Sequence, residues 1–226
     1  MTGKASLLAA LQHGDSFFPS GSLAFSWGLE TLCNDGVLRN ATDVEGYVRD
    51  QLRHRWATMD RPVLVAAHRA GGDPESLVPI DRLVEAMALA REMREGSRRA
   101  GAALLSTHES LGIEGASTYH ELVKFRRAWG HLSVVQGLVL SGVGLDEATA
   151  SAVSAHTFCV GFLGAALRLG VIGHIDSQRS LARLQSDIVE ILAAPASALE
   201  DLGVCTPETD VASMRHETES TRLFIT

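Results

Sequence analysis

Ala152-Val153-Ser154-Ala155-His156-Thr157-Phe158-Cys159-Val160-Gly161-Phe162-Leu163-Gly164-Ala165-Ala166-Leu167-Arg168-Leu169-Gly170-Val171-Ile172-Gly173 is the most apolar stretch of this 226-residue chain. His156 and Arg168 leave only eleven uncharged residues between them, whereas a membrane-spanning helix needs about 20 apolar residues in a row. The stretch therefore reads as a helix buried inside a protein, and no membrane span is expected. Its extent, from about Asp146 to Leu169, sets the pattern for what surrounds it.

Outward from it, helices are expected over Asp176 to Leu192, Trp129 to Val143 and Thr118 to Ala128, each ended or followed by Gly or Pro. Thr42-Asp43-Val44-Glu45 has the form of a capping box opening a helix that carries Val44, Val48, Leu52, Trp56 and Met59. Pro62 should kink or restart that helix, and Gly71-Gly72 should end it. Pro79 suits the first turn of a long helix in which Ile80, Leu83, Met87 and Ala90 form an apolar stripe. The stripe continues onto Arg94, Ser97 and Gly101 before Leu104, a small, polar face that reads as a contact surface. No period-2 strand, long linker or internal repeat is evident. The expected fold is all-α, a single-domain helical bundle with an extended or partly disordered C-terminal tail. Residues 1–205 would form the bundle and residues 206–226 the tail.

Composition narrows the function. Hydrophobic residues make up 46%, charged residues 21% and aromatics 5%, so the core should be aliphatic. The net charge of −7 and the presence of only two lysines, Lys4 and Lys124, argue against nucleic-acid binding. Six acids against two bases between Leu199 and Thr226 put more than half of the net charge at the C-terminal end, as in a solvated or docking tail. Cys33, Cys159 and Cys205 are widely separated and odd in number, which predicts reduced thiols. The apolar run Leu7 to Leu11 is too short for a signal-peptide core, and a cytoplasmic protein is expected.

A search for chemistry finds none. Neither lysine follows a glycine-rich phosphate loop, Gly142-Val143-Gly144 lacks the third glycine of a dinucleotide site, and no G-x-S-x-G elbow occurs. Of the nine histidines only His156 has a His or Cys three or four residues away, Cys159, and no two histidines have that spacing, although spacing does not exclude a site assembled from distant residues. No catalytic, cofactor or metal residue is assigned, and the expected class is a binding protein rather than an enzyme. Arg91 to Arg99 carries i,i+4 ion pairs suited either to a solvated helix face or to a charged docking surface.

Two segments are hard to explain by folding alone. Asp15 to Glu30 puts four aromatics into sixteen residues of an aromatic-poor chain, and Asp210 to Phe224 is dense in functional groups where chain ends normally fray. Together they resemble the opening and closing signatures of the urease accessory protein UreF family. The early D-S-x-F-P-x-G-x-x-x-x-S-x-G-L-E motif is matched from Asp15 through Phe18-Pro19, Gly21 and Ser26 to Gly28-Leu29-Glu30. The closing D-x-A-S-M-R-H-E-T-x-x-x-R-L-F motif is matched by Asp210, Ala212 to Thr218 and Arg222-Leu223-Phe224. R-E-x-R-x-x-S-R-R at Arg91 to Arg99, and Gln178-Arg179, fall between them in the same order. The chain departs from the family at Ser220-Thr221 and at Leu163-Gly164.

The resemblance implies an all-helical, dimerising, non-catalytic scaffold. It would bind UreD (UreH) and recruit the GTPase UreG for GTP-dependent nickel insertion into apo-urease, with UreE as nickel donor. On this reading Arg215, His216, Glu217 and Arg222 make charge-assisted hydrogen bonds to the partner while Leu223 and Phe224 anchor in an apolar pocket. Arg94, Ser97 and Arg98, and the segment containing Phe17, Pro19, Gly21 and Glu30, would serve a second contact with the GTPase or the dimer mate. The rival readings are a helical small-molecule sensor and a metal-dependent hydrolase with a dispersed site.

Overall fold

The computed structural model describes residues 3–20, 25–71, 73–219 and 222–224, and among them there is no strand. The helices are α1 (Gly3–Gly14), α2 (Leu29–Asn34), α3 (Ala41–Gln51), α4 (Arg61–Arg69), α5 (Leu77–Met87), α6 (Arg91–Ser110), α7 (Ala116–Lys124), α8 (Leu132–Gly142), α9 (Glu147–Arg168), α10 (His174–Ala193) and α11 (Pro207–His216). The all-α expectation is borne out. By length and composition α9 could cross a membrane, but most of its apolar window is buried against its neighbours.

α9 is the spine because it belongs to both halves of the interior. Its first turns, at Ala150 and Val153, join a cluster made by α4, α5, α6, α7 and α8, in which Val63, Leu64, Leu77, Leu105, Tyr119 and Leu138 are buried. Ala155 to Ala166 join a second cluster with Leu29, Val48, Leu52, Trp56, Leu184 and Ile188 from α2, α3 and α10 and the turns after α3. α4 and α8 cross closely because Gly137 has no side chain: a Cβ there would lie 2.4 Å from the Leu64 carbonyl oxygen.

Local sequence explains most boundaries and corrects some. The cap of α3 is Asn40, whose side chain accepts from the amides of Thr42 (2.9 Å) and Asp43 (3.0 Å). Thr42 was expected in that role, but it lies inside the helix. Asp146 caps α9 by accepting from Thr149 N at 2.7 Å. Between α3 and α4 the chain does not break. Leu52–Asp60 takes wide π-type turns, with Arg61 N–H reaching back to the Trp56 carbonyl. The cause is Pro62, which has no N–H for the carbonyl four residues earlier. That carbonyl, of Thr58, accepts instead from Gly203 N at 3.3 Å, and His54 O accepts from Cys205 N at 3.2 Å.

The long helix expected from Pro79 is two helices. Pro79 does lie in the first turn of α5, but the chain turns extended at Ala88 and Ala90. The Arg94 guanidinium holds this break by donating to the carbonyls of Ala88 (2.6 Å) and Leu89 (2.9 Å). No Gly or Pro marks it, so nothing in the local sequence signals it.

The small face of α6 is also not open. A Cβ on Gly101 would lie 2.0 Å from the Gly130 carbonyl oxygen, so the turn before α8 lies directly on it. That turn is held by Asp81 of α5. Fully buried, it accepts the amides of Trp129, Gly130 (2.9 Å) and His131 (2.9 Å) and closes the N-terminus of α8 from another helix.

Candidate functional site: the junction of the opening and closing segments

Glu30 is placed by Gly28, whose left-handed φ of 83° turns the chain into α2. Glu92 is in the first turn of α6, and His216 ends α11. The three meet in the interior, with Glu30 4% exposed, Glu92 6% and His216 0%. The His216 ring faces carboxylates on both sides. Nδ1 lies 3.0 Å from each oxygen of Glu92, and Nε2 lies 3.1 Å from Glu30 Oε2. A carboxylate can only accept, so a protonated ring donating from both nitrogens satisfies the whole arrangement.

The chain beyond α11 closes over the same group. Glu30 accepts the amides of Leu223 (2.6 Å) and Phe224 (3.1 Å), and Arg222 donates to Glu92 at 3.3 Å. Glu217 pairs with Arg91 at 3.1 Å, and Glu219 accepts from Thr31 at 2.9 Å. Phe224 is buried with the Arg168 guanidinium 4.4 Å from its ring centroid. The closing segment thus begins as helix and is docked on α2 and α6, because its polar side chains find buried partners there.

The two matched motifs are halves of one structure. Of the residues assigned to partner contact, Glu30, His216 and Phe224 are used internally. Glu217 and Arg222 bridge to α6. Arg215 makes a two-pronged pair with Asp35 (2.5 and 2.9 Å), which holds the Asp35 carboxyl below the usual carboxylate range. Leu223 is exposed, as are Phe17 and Pro19; the Pro19 carbonyl accepts from Thr107 at 3.0 Å. Gly21 lies outside the described residues. Sequence reasoning missed Glu92 and Arg168 as members of this site. Glu92 stood in the Arg91 to Arg99 stretch, where an acid in a helix's first turn looks like ordinary dipole pairing.

Arg94 and Arg98 are not at this junction. Arg98 forms a two-pronged pair with Glu85 and lies over the Trp129 ring, 4.1 Å from its centroid. Ser97 accepts from Leu132 N (3.2 Å) and donates to His131 Nδ1 (3.1 Å), whose Nε2 donates to Glu85 (2.9 Å). Burial pushes the His131 pKa down and favours the neutral ring this chain of bonds requires. Burial works against the Glu85 charge, but the bonds from Arg98 and His131 outweigh it and hold its pKa below the ordinary value of 4.5. A carboxylate lowered on folding stabilises above its unfolded pKa and loses that stability as the pH falls through the folded value. The gap in urea midpoint between wild type and Glu85→Gln should therefore be full at neutral pH and close below 4.5. A gap that stayed constant through that range would contradict this assignment.

Among the described residues no three His, Cys, Asp or Glu side chains gather to hold a metal. The class of protein is an all-α bundle whose first and last signature segments are locked together around buried carboxylates. The UreF family model matches residues 38–185. The chain is 34% identical to the urease accessory protein UreF of Trichodesmium erythraeum (strain IMS101), over 96% of this chain and 95% of that protein. It is 32% identical to UreF of Rhizobium leguminosarum bv. trifolii (strain WSM2304), over 99% of both. Against UreF of Cereibacter sphaeroides (strain ATCC 17029 / ATH 2.4.9) it is 33% identical, over 98% of this chain and 99% of that protein. The chain belongs to the UreF family of urease accessory proteins.

Proposed function

We propose that this chain is a non-catalytic, cytoplasmic, homodimeric component of the urease maturation assembly, binding UreD (UreH) and through it recruiting the GTPase UreG for nickel insertion into apo-urease. The observation that supports this reading most is the outer side of the closing segment. Its inward residues are held by Glu30 and Glu92, while Val211, Met214 and Leu223 are left exposed, at 56%, 46% and 62%. Leu32, Val37, Pro207, Val211, Ala212 and Arg215 line an apolar groove between α2 and α11, with the exposed Arg215–Asp35 pair at its edge. An apolar centre with a charged rim is the composition of a protein contact. His216, Glu30 and Phe224 would then act indirectly, by holding this face in shape.

The test is activation of apo-urease by nickel, GTP, UreD and UreG with and without this chain. Activation should depend on the chain, and the chain alone should hydrolyse no GTP. Equal activation in its absence would reject the proposal.

A further inference from the structure

His13, near the end of α1, and His108, in the last turns of α6, are 95 residues apart in sequence, yet their Nε2 atoms lie 3.1 Å from one another. Each Nδ1 sits 2.8 Å from the carbonyl oxygen four residues back, Ala9 for His13 and Leu104 for His108. A carbonyl only accepts, so each Nδ1 carries the ring proton and each Nε2 presents a lone pair. Two lone pairs facing one another at that distance repel unless an electrophile is shared between them.

We propose that His13 and His108 form a two-imidazole clip for a divalent transition-metal ion of the kind that favours neutral imidazole. With metal–nitrogen bonds of about 2.0–2.1 Å, donors 3.1 Å apart subtend about 100° at the ion, which suits adjacent ligand positions once each ring turns so that its lone pair meets the ion off the Nε2–Nε2 line. The fixed Nδ1 bonds supply the tautomer and orientation that a ligating histidine needs. His108 is fully buried and His13 is 8% exposed, and burial pushes the His108 pKa down, toward the neutral ligating form. Phe18 covers both rings, at 4.7 and 5.4 Å between centroids. Both histidines line a partly open pocket that also reaches Gln136 and Thr157, which gives room for water at the remaining positions. Two protein ligands make a site of modest affinity and rapid exchange. Metal there would tie α1 to α6. This inference goes beyond the accessory role and does not depend on any partner contact.

The test is a Co²⁺ titration of the full chain at neutral pH, followed by visible absorption and by the histidine ring resonances in NMR. One equivalent of Co²⁺ should bind to wild type and to the surface variant His174→Gln, and binding should be lost in His13→Gln and His108→Gln. Because His108 is in the core, His13→Gln, on the peripheral α1 and checked for native helix content, is the deciding variant. Equal Co²⁺ uptake by wild type and His13→Gln would overturn the proposal. So would ring resonances that respond to pH but not to Co²⁺, the mark of a pair that shares only a proton.

Discussion

The chain carrying His216→Ala should lose about 3–5 kcal/mol of stability, the range for removing one partner of a buried ionic group. The loss is large because of what remains. Glu30 and Glu92 are 4% and 6% exposed, and the ring supplies a donor to each. Without it, two carboxylates face one another across a cavity, with the Leu223 and Phe224 amides and the exposed Arg222 still on them. Arg222→Ala is the control. That side chain is 39% exposed and its pair with Glu92 spans 3.3 Å, so its loss should cost under about 1 kcal/mol. Urea denaturation of both variants checks the pair. Equal, small losses would mean that the buried histidine does not hold the closing segment.

Asp81→Ala should have an effect of similar size, about 3–5 kcal/mol, through hydrogen bonds to a charged, buried acceptor. The carboxylate is the acceptor for three consecutive amides of the turn leading into α8, from residues 129–131. No side chain of α8's own N-cap, His131, replaces it. Removal would leave those N–H groups without acceptors in the core and loosen the turn that lies on Gly101. Thermal unfolding decides this too. The melting temperature should fall steeply, and hydrogen exchange at residues 130–132 should accelerate more than at α10. A fall confined to a degree or two would show that water or another group satisfies these amides.

Most helices were legible because their signals are local. Asp146 before α9 and the Gly-marked end of α4 need only nearby residues to be read, and the apolar stretch of α9 announced the spine. What sequence could not give depends on distant partners. The break between α5 and α6 is held by a side chain four residues downstream of Ala90, and the π-type turns of Leu52–Asp60 give up carbonyls to residues 203–205. The α6 face at Ser97 and Gly101 looked like a surface because its cover, the turn after α7, is not adjacent in sequence. The site was half legible. Motif resemblance singled out Glu30 and His216, but no periodicity tells that they are buried together or that Glu92 completes them. A polar segment reads as a tail until its buried partners are known. His13 and His108 escaped for the same reason, since metal-ligand spacing rules see only short separations.

On the proposed function, the closing segment is locked inward so that its outer apolar face can bind a partner. Size-exclusion chromatography of the chain with UreD, comparing wild type with Val211→Asp/Met214→Asp, tests it most directly. Both substituted residues are exposed, at 56% and 46%, so the variant should keep the wild-type melting temperature and no longer co-elute with UreD. A variant that folded normally and still co-eluted in full would contradict the account.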